Sequence, residues 1–183
     1  GTTADTIAAM REAKRLGAKV LSIVNVVGSV IAAESDWCLY TWAGPEIAVA
    51  TTKAYSTQLA VTYLITIYLA DILGTITKDE YAAIVEGLST LPSKLEEILD
   101  GKEHIQYLAS IYFNKENIFF IGRNIDYALT LEASLKLKEI SYIHSDAYAA
   151  GELKHGTISL IEEGTLVIAM ASYLKLVEKT VSN

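Results

Sequence analysis

The sequence predicts an α/β fold in which helices cover parallel sheets, and two observations support this prediction. Short β-rich runs alternate with helical patterns, at a spacing that requires parallel strands joined by crossover helices. The same order of strand, turn and helix occurs before and after two long consecutive helices. We therefore expect a first α/β unit at residues 1–76, connecting helices at 77–112 and a second unit at 113–183.

The elements of the first unit follow from hydrophobic periodicity and from turn residues. In chain order they are a helix at 5–16, a strand at 19–25, a helix at 29–34, a strand at 37–41 and an apolar helix at 51–73. Thr3 or Asp5 can cap the first helix, and Gly17 follows it where a positive φ is common. A Gly44-Pro45 turn separates the second strand from the long helix.

The connecting segment and the second unit are predicted in the same way. In chain order we expect an amphipathic helix at 77–100 that Pro92 interrupts, a short helix ending near residue 113, a strand at 117–122, a helix at 126–142, a strand at 165–172 and a helix from 174 onward. The strand at 117–122 reads NIFFIG and is apolar along most of its length, so it belongs in the core.

The composition excludes several classes of protein. Cys38 is the single cysteine among 183 residues, which rules out a disulfide scaffold and fits a reducing compartment such as the cytoplasm. The chain has 22 acidic and 15 basic residues, a net charge of −7, without the clustered Lys and Arg that nucleic acid or an anionic membrane would need. The uncharged stretch at 54–70 is shorter than a bilayer span and contains Ser and Thr. We therefore expect neither nucleic acid nor a membrane as a partner.

Two helix starts carry hydroxyl side chains that could bind a phosphate group. The first is GTTADT at residues 1–6, and the second places Thr51, Thr52 and Lys53 after the Gly-Pro turn. Free backbone N–H groups and the positive end of the helix dipole favour an anion at such positions. Ordinary helix capping explains the same residues, so the pattern leaves both interpretations open.

The helix at 126–142 carries charged residues that could act in catalysis. Glu132, Lys136 and Glu139 share one face, at spacings i, i+4 and i+7. A solvent-facing series of ion pairs explains Glu132 and Lys136 equally well. Glu139 differs because apolar residues crowd the same helix end, and desolvation there would favour a role as a general base. These neighbours are Leu135, Leu137, Ile140 and Tyr142.

His155 is a further catalytic candidate, because it lies between Lys154 and Gly156 in a segment rich in small residues. Imidazole titrates near neutral pH and can transfer a proton. His104, His144 and His155 lack the close spacing of metal ligands, so we expect no metal site.

Three motifs in series resemble the isomerase region of the glutamine:fructose-6-phosphate aminotransferase family. They are NVVGSVIAAESD at 25–36, AGPEIAVATTKAYSTQ at 43–58 and LKLKEISYIHSDAYAAGELKHG at 135–156. The resemblance covers the whole chain in order. It implies sugar-isomerase (SIS) domains, each a three-layer αβα sandwich around a parallel sheet, with the later part of a first domain and the opening part of a second in this chain.

The resemblance implies catalytic roles for three residues. Glu139 matches the base that moves a proton between C1 and C2 of the sugar, and Lys136 matches the lysine one helical turn before it. His155 matches the histidine that opens the sugar ring, which in the family reaches the active site from a neighbouring subunit.

The resemblance also implies substrate-binding roles. Thr3 matches the last threonine of the family's phosphate loop. Val49 and Thr51 match a Val-x-Ser pair that holds the sugar, with Thr in place of Ser and the hydroxyl kept.

The family's reaction turns fructose 6-phosphate and glutamine-derived ammonia into glucosamine 6-phosphate, by ring opening, imine formation and aldose–ketose proton transfer, without a cofactor. The resemblance implies a homo-oligomer, at least a dimer, and a glutaminase domain in the full-length protein. The start of the phosphate loop and the lysine that forms the imine lie outside this sequence, so we expect the piece alone to be inactive.

Two other functions stay open at this point: a non-catalytic SIS module that senses a sugar phosphate, and a stand-alone SIS deglycase or isomerase. The presence of both Glu139 and His155 favours the enzyme, as does the absence of a basic helix-turn-helix from the sequence.

Overall fold

The computed structural model describes residues 3–182, which divide into two compact units, one extending to Glu97 and the other starting at Ile98. Both units are α/β, as the sequence predicts, and every pair of strands in the described residues is parallel. The division falls inside a helix, so the predicted connecting segment at 77–112 is shared between the two units.

The first unit contains a pair of strands with helices on both faces. Its elements are α1 (Ala4–Arg15), β1 (Leu21–Val24), α2 (Val30–Glu34), β2 (Trp37–Tyr40), α3 (Lys53–Ile72) and α4 (Lys78–Ser89), and α5 (Leu91–Asp100) crosses into the second unit. Met10 of α1 and Ile31 of α2 pack with Val24 on one face of the strands. Residues of α3 and α4 line an apolar cavity of about 850 Å³ with Leu21 and Leu39 on the other face.

Caps and breaks in this unit follow from the sequence. The Ser29 hydroxyl accepts a hydrogen bond from the backbone N–H of Ala32 at the start of α2. Thr77 and Glu80 form a capping box at the start of α4. Pro92 lies in the first turn of α5, where its missing N–H costs little, so the helix predicted at 77–100 is two helices.

The second unit is built around three parallel strands in the described residues. Its elements are α6 (Lys102–Tyr112), β3 (Asn117–Gly122), α7 (Ile125–Ser141), β4 (His144–Ala149), β5 (Leu166–Met170) and α8 (Val177–Val181), with 3-10 turns at Leu153–His155, Thr157–Leu160 and Leu174–Leu176. β3 lies between β4 and β5. Its buried apolar side chains confirm the predicted core strand.

The strand β4 is not predicted by the sequence pattern, because its residues HSDAYA are largely polar. Its burial depends on a pair of serines instead of on apolar side chains. Ser145 of β4 and Ser134 of α7 are both buried, and their hydroxyls lie 3.0 Å apart. Each hydroxyl also donates to the backbone carbonyl of the other residue, at 2.9 and 3.0 Å. These small, satisfied polar groups hold α7 closely against β4.

The end of β3 lies very close to the first turn of α7, and this contact fixes where α7 begins. A side chain on Gly122, the last residue of β3, would place its Cβ 2.6 Å from the backbone of Asp126. Glycine is therefore required for β3 to turn directly into α7. As a result, α7 begins at the carboxyl end of β3 and returns to the amino end of β4.

Candidate active site

Polar groups of the first unit collect around a cavity of about 520 Å³ where β1 and β2 end. Ligands of parallel α/β proteins commonly bind at this edge. Thr51, predicted to bind substrate, lines the cavity, and Thr52 immediately after it occupies the N-cap position of α3 without a capping hydrogen bond from its side chain. The other lining residues are Asn25, Val26, Trp42, Gly44, Pro45, Glu46 and Ala54. The position of Thr51 suits ligand binding, and its role stays a prediction.

The other two predicted binding residues lie outside the cavity lining. Val49 is 100% exposed in the bend before α3. Thr3 occupies the N-cap position of α1, where its carbonyl accepts from the N–H of Ile7 at 3.0 Å and its hydroxyl makes no capping hydrogen bond. The phosphate-loop residues Gly1 and Thr2 lie outside the described residues.

In the second unit, two of the three predicted catalytic residues, Lys136 and Glu139, are in direct contact. The ammonium of Lys136 lies 2.5 Å from the carboxylate of Glu139 and 3.6 Å from that of Glu132. The Lys136 side chain is only 19% exposed. Its hydrogen bond to Glu139 raises the pKa of Lys136, against the opposing effect of partial burial. The ion pair that the i, i+4 spacing predicts is therefore present, and Lys136 joins both carboxylates.

The apolar surroundings expected for Glu139 are absent from the described residues, and that part of the prediction is wrong. Leu135, Ile140 and Tyr142 are themselves exposed, Tyr142 by 92%. The side chain of Glu139 is 35% exposed and lies against a cation. In this unit Glu139 is thus a hydrated, ion-paired carboxylate at the end of a helix.

His155 lies at the opposite edge of the sheet from Glu139. It ends the 3-10 turn that follows the carboxyl end of β4, and its ring is exposed. The buried residues Ala150 and Leu153 fix this turn against Ile121 of β3. No hydrogen bond or ion pair joins His155 to Glu139 within residues 3–182.

The serine pair allows the separation of Glu139 from the carboxyl end of β4, the edge on which His155 follows, to be worked out. From Ser145 the strand runs about 13 Å to its carboxyl end, and from Ser134 the helix runs about 7 Å in the opposite direction to Glu139. Because α7 is antiparallel to β4, Glu139 lies about 20 Å from the end of the strand that His155 follows. One sugar molecule is too short to reach from Glu139 to the carboxyl end of β4 within a single chain.

Asp126 holds the start of α7 to the segment after β5. It is 1% exposed, and its carboxylate accepts hydrogen bonds from the backbone N–H of Ser172 at 3.0 Å and of Tyr173 at 3.2 Å. The Ser172 hydroxyl also donates to it, and this bond contributes most to lowering the pKa of Asp126. Asp126 therefore fixes the helix that carries Lys136 and Glu139.

Two residues near the first cavity were not identified as functional from the sequence. The side chain of Asn25 binds three groups of the loop after β2, and Glu46 has a buried carboxylate oxygen in the cavity wall. The sequence signal that could have identified them is their position after the end of a strand.

Among residues 3–182, no three or more His, Cys, Asp and Glu side chains are grouped to hold a metal ion. In the same residues, no helix is both long and apolar enough to cross a membrane.

Parallel strands covered by helices, with polar groups gathered where the strands end, define an α/β protein of the ligand-binding type. The family model of the SIS domain matches residues 1–68 and 111–174. The chain belongs to the SIS domain family.

The chain is also similar to individual proteins of known name. The chain is 57% identical over all 183 residues to glutamine–fructose-6-phosphate aminotransferases (isomerizing) of Caldanaerobacter subterraneus and of Clostridium tetani, and it spans 30% of the length of each. The solved C-terminal domain of glucosamine-fructose-6-phosphate aminotransferase from Francisella tularensis superposes with a TM-score of 0.94 at 36% identity. That superposition covers 98% of this chain and 51% of the other. The resemblance drawn from the sequence motifs is thereby confirmed.

Proposed function

We propose that the chain is part of the isomerase region of an enzyme that makes glucosamine 6-phosphate from fructose 6-phosphate and glutamine-derived ammonia. Similarity to aminotransferases of that name along all 183 residues supports the assignment. The observation that carries it is the contact between Lys136 and Glu139, because this motif supplies an accessible carboxylate held in place by a cation.

The proposed chemistry assigns one proton-transfer step to each of two residues. His155 assists ring opening, in which the bond from C2 to the ring oxygen breaks, the ring oxygen gains a proton and the C2 hydroxyl loses one. The open ketose then forms an imine with a lysine outside this chain, releasing water, and ammonia displaces that lysine to leave the free imine at C2. Glu139 takes the proton from C1 and returns it to C2, which converts the C2 imine into an amino group and the C1 alcohol into an aldehyde. Lys136 orients the carboxylate through its 2.5 Å contact.

The proposed enzyme is a homo-oligomer, at least a dimer. The support is the separation of about 20 Å between Glu139 and the strand end before His155. A complete site therefore needs Glu139 from one copy and His155 from another. We further propose a glutaminase domain in the full-length protein and a cytoplasmic location, in keeping with a chain whose single cysteine is unpaired.

Thr3, Val49 and Thr51 are proposed to bind the sugar phosphate. Thr51 is the best supported of the three, because it lines the cavity where β1 and β2 end. Because the side chain of Val49 is exposed, Val49 would contact the sugar phosphate through its backbone, or only after the bend before α3 moves toward the cavity.

The test is Glu139→Gln in the complete enzyme. We expect sugar turnover to fall at least about a hundredfold, because general acid–base groups are typically worth that much or more. Fructose 6-phosphate binding and glutamine hydrolysis should persist. Glu163→Gln, an exposed carboxylate of the same unit, is the matched control and should turn over normally. Near-normal turnover in Glu139→Gln would reduce Glu139 to a surface ion pair and favour the sugar-phosphate-sensing alternative.

A further inference from the structure

The loop after β2, residues 41–46, forms part of the wall of the first cavity. Side chains from the end of β1 and from the start of α3 hold this loop in place. The Asn25 side-chain oxygen accepts from the Thr41 hydroxyl at 3.0 Å and from the N–H of Ala43 at 2.9 Å, and its amide donates to the carbonyl of Gly44 at 2.7 Å. The ammonium of Lys53 donates to the carbonyl of Pro45 at 2.6 Å. Glu46, the next residue, is therefore presented on a fixed loop.

Backbone strain in this loop supports the same conclusion. Trp42 has a φ of 53°, which a bulky residue adopts only when its surroundings impose it. Its ring contacts that of Tyr40, with centroids 5.6 Å apart. Strain of this kind collects at ligand sites, and Trp42 lines the cavity.

Glu46 is unusual in this setting because its Oε2 atom is buried and has no hydrogen-bond partner within residues 3–182. A buried carboxylate is normally paired or fully hydrogen-bonded, because removing its charge from water is costly. Lys53, the cation closest along the chain, donates to Pro45 instead. Within residues 3–182, Oε2 of Glu46 is therefore a buried acceptor that no donor fills.

We propose that Glu46 pairs with the ammonium group of an amino-sugar phosphate bound in this cavity. An ammonium group both donates a hydrogen bond to the unpartnered oxygen and is attracted by a carboxylate, whereas the phosphate would be repelled and must lie farther from Glu46. A cavity of about 520 Å³ falls in the size range of small-ligand sites. This inference rests on the proposed function and adds a specificity residue to it: Glu46 distinguishes the aminated product from the substrate, which has the same phosphate but no amino group.

The test compares two ligands in the complete enzyme carrying Glu46→Gln. By calorimetry we expect affinity for glucosamine 6-phosphate to fall about tenfold or more, the loss typical of a charge-assisted hydrogen bond, and affinity for fructose 6-phosphate to change less than about threefold. Glu86→Gln, an exposed carboxylate of the same unit, makes the same charge change and should alter neither affinity. Unchanged affinities in Glu46→Gln, or equal losses for both ligands, would overturn the assignment.

A stability measurement separates ligand binding from a structural role. If Glu46 has no partner in the free protein, Glu46→Gln should keep or raise the midpoint of thermal unfolding without ligand. A lowered midpoint would show that Glu46 pairs with another part of the protein, and would overturn the inference while leaving the proposed function intact. A wild-type protein that binds neither sugar phosphate would overturn both.

Discussion

Replacing Asp126 with alanine should destabilise the second unit by about 3 kcal/mol. The substitution removes an acceptor of three hydrogen bonds and leaves the N–H groups of Ser172 and Tyr173 without it. A hydrogen bond to a charged group contributes about 1.5–3 kcal/mol, but the Ser172 hydroxyl can turn to another acceptor, so the total stays well below three full contributions. Asp126→Asn should cost less, since the amide oxygen can still accept from both N–H groups.

The assay is urea unfolding of the 183-residue chain at a series of pH values. The folded-state pKa of Asp126 is lowered, so its contribution to stability is fully present above the unfolded-state value of about 3.9 and is lost as the pH falls through the lower folded-state value. The free-energy difference between wild type and Asp126→Ala should therefore shrink below about pH 4. The exposed Asp100→Ala is the control. A variant as stable as wild type, or a difference independent of pH down to 3, would refute the reasoning.

Two further predictions concern the cavity and assembly. Thr51→Val in the complete enzyme should weaken fructose 6-phosphate binding by about 1–3 kcal/mol, the cost of leaving a buried polar partner unpaired, whereas Thr52→Val, the exposed neighbour, should not. Equal affinities of wild type and Thr51→Val, measured by calorimetry, would show that the Thr51 hydroxyl does not contact the sugar. The folded 183-residue chain should sediment as an oligomer, because Leu21 and Trp37 are exposed on a sheet whose described strands pair only with each other. A compact monomer at micromolar concentration would contradict this.

The fold was predictable where side chains showed a clear period or a clear cap. β3 is nearly continuous apolar sequence, and the spacing of Thr77 and Glu80 is itself the signature of a helix start, which α4 confirms. β4 was not predictable, because its burial depends on Ser145 meeting Ser134 across eleven residues of sequence. A strand that is held in place by hydrogen bonds between buried polar side chains cannot be detected from hydrophobic periodicity.

A contact within one helix was predictable from the sequence, whereas the placement of the candidate residues relative to the sheet was not. Helical spacing alone predicted that Lys136 meets Glu132. That Glu139 and His155 lie at opposite edges of one sheet depends on β4, which the sequence pattern does not show. Glu46 was missed because its distinguishing property, a buried oxygen without a partner in the described residues, exists only after the loop has folded.

The central claim is that a working site combines Glu139 of one copy with His155 of another. The most direct test mixes two inactive variants of the complete enzyme, Glu139→Gln and His155→Ala, under distinct affinity tags, and isolates oligomers that contain both. In a mixed dimer one of the two sites receives both wild-type residues, so about half of the wild-type turnover should return. Mixed oligomers no more active than the parent variants would show that both residues act within a single chain, and would contradict the account.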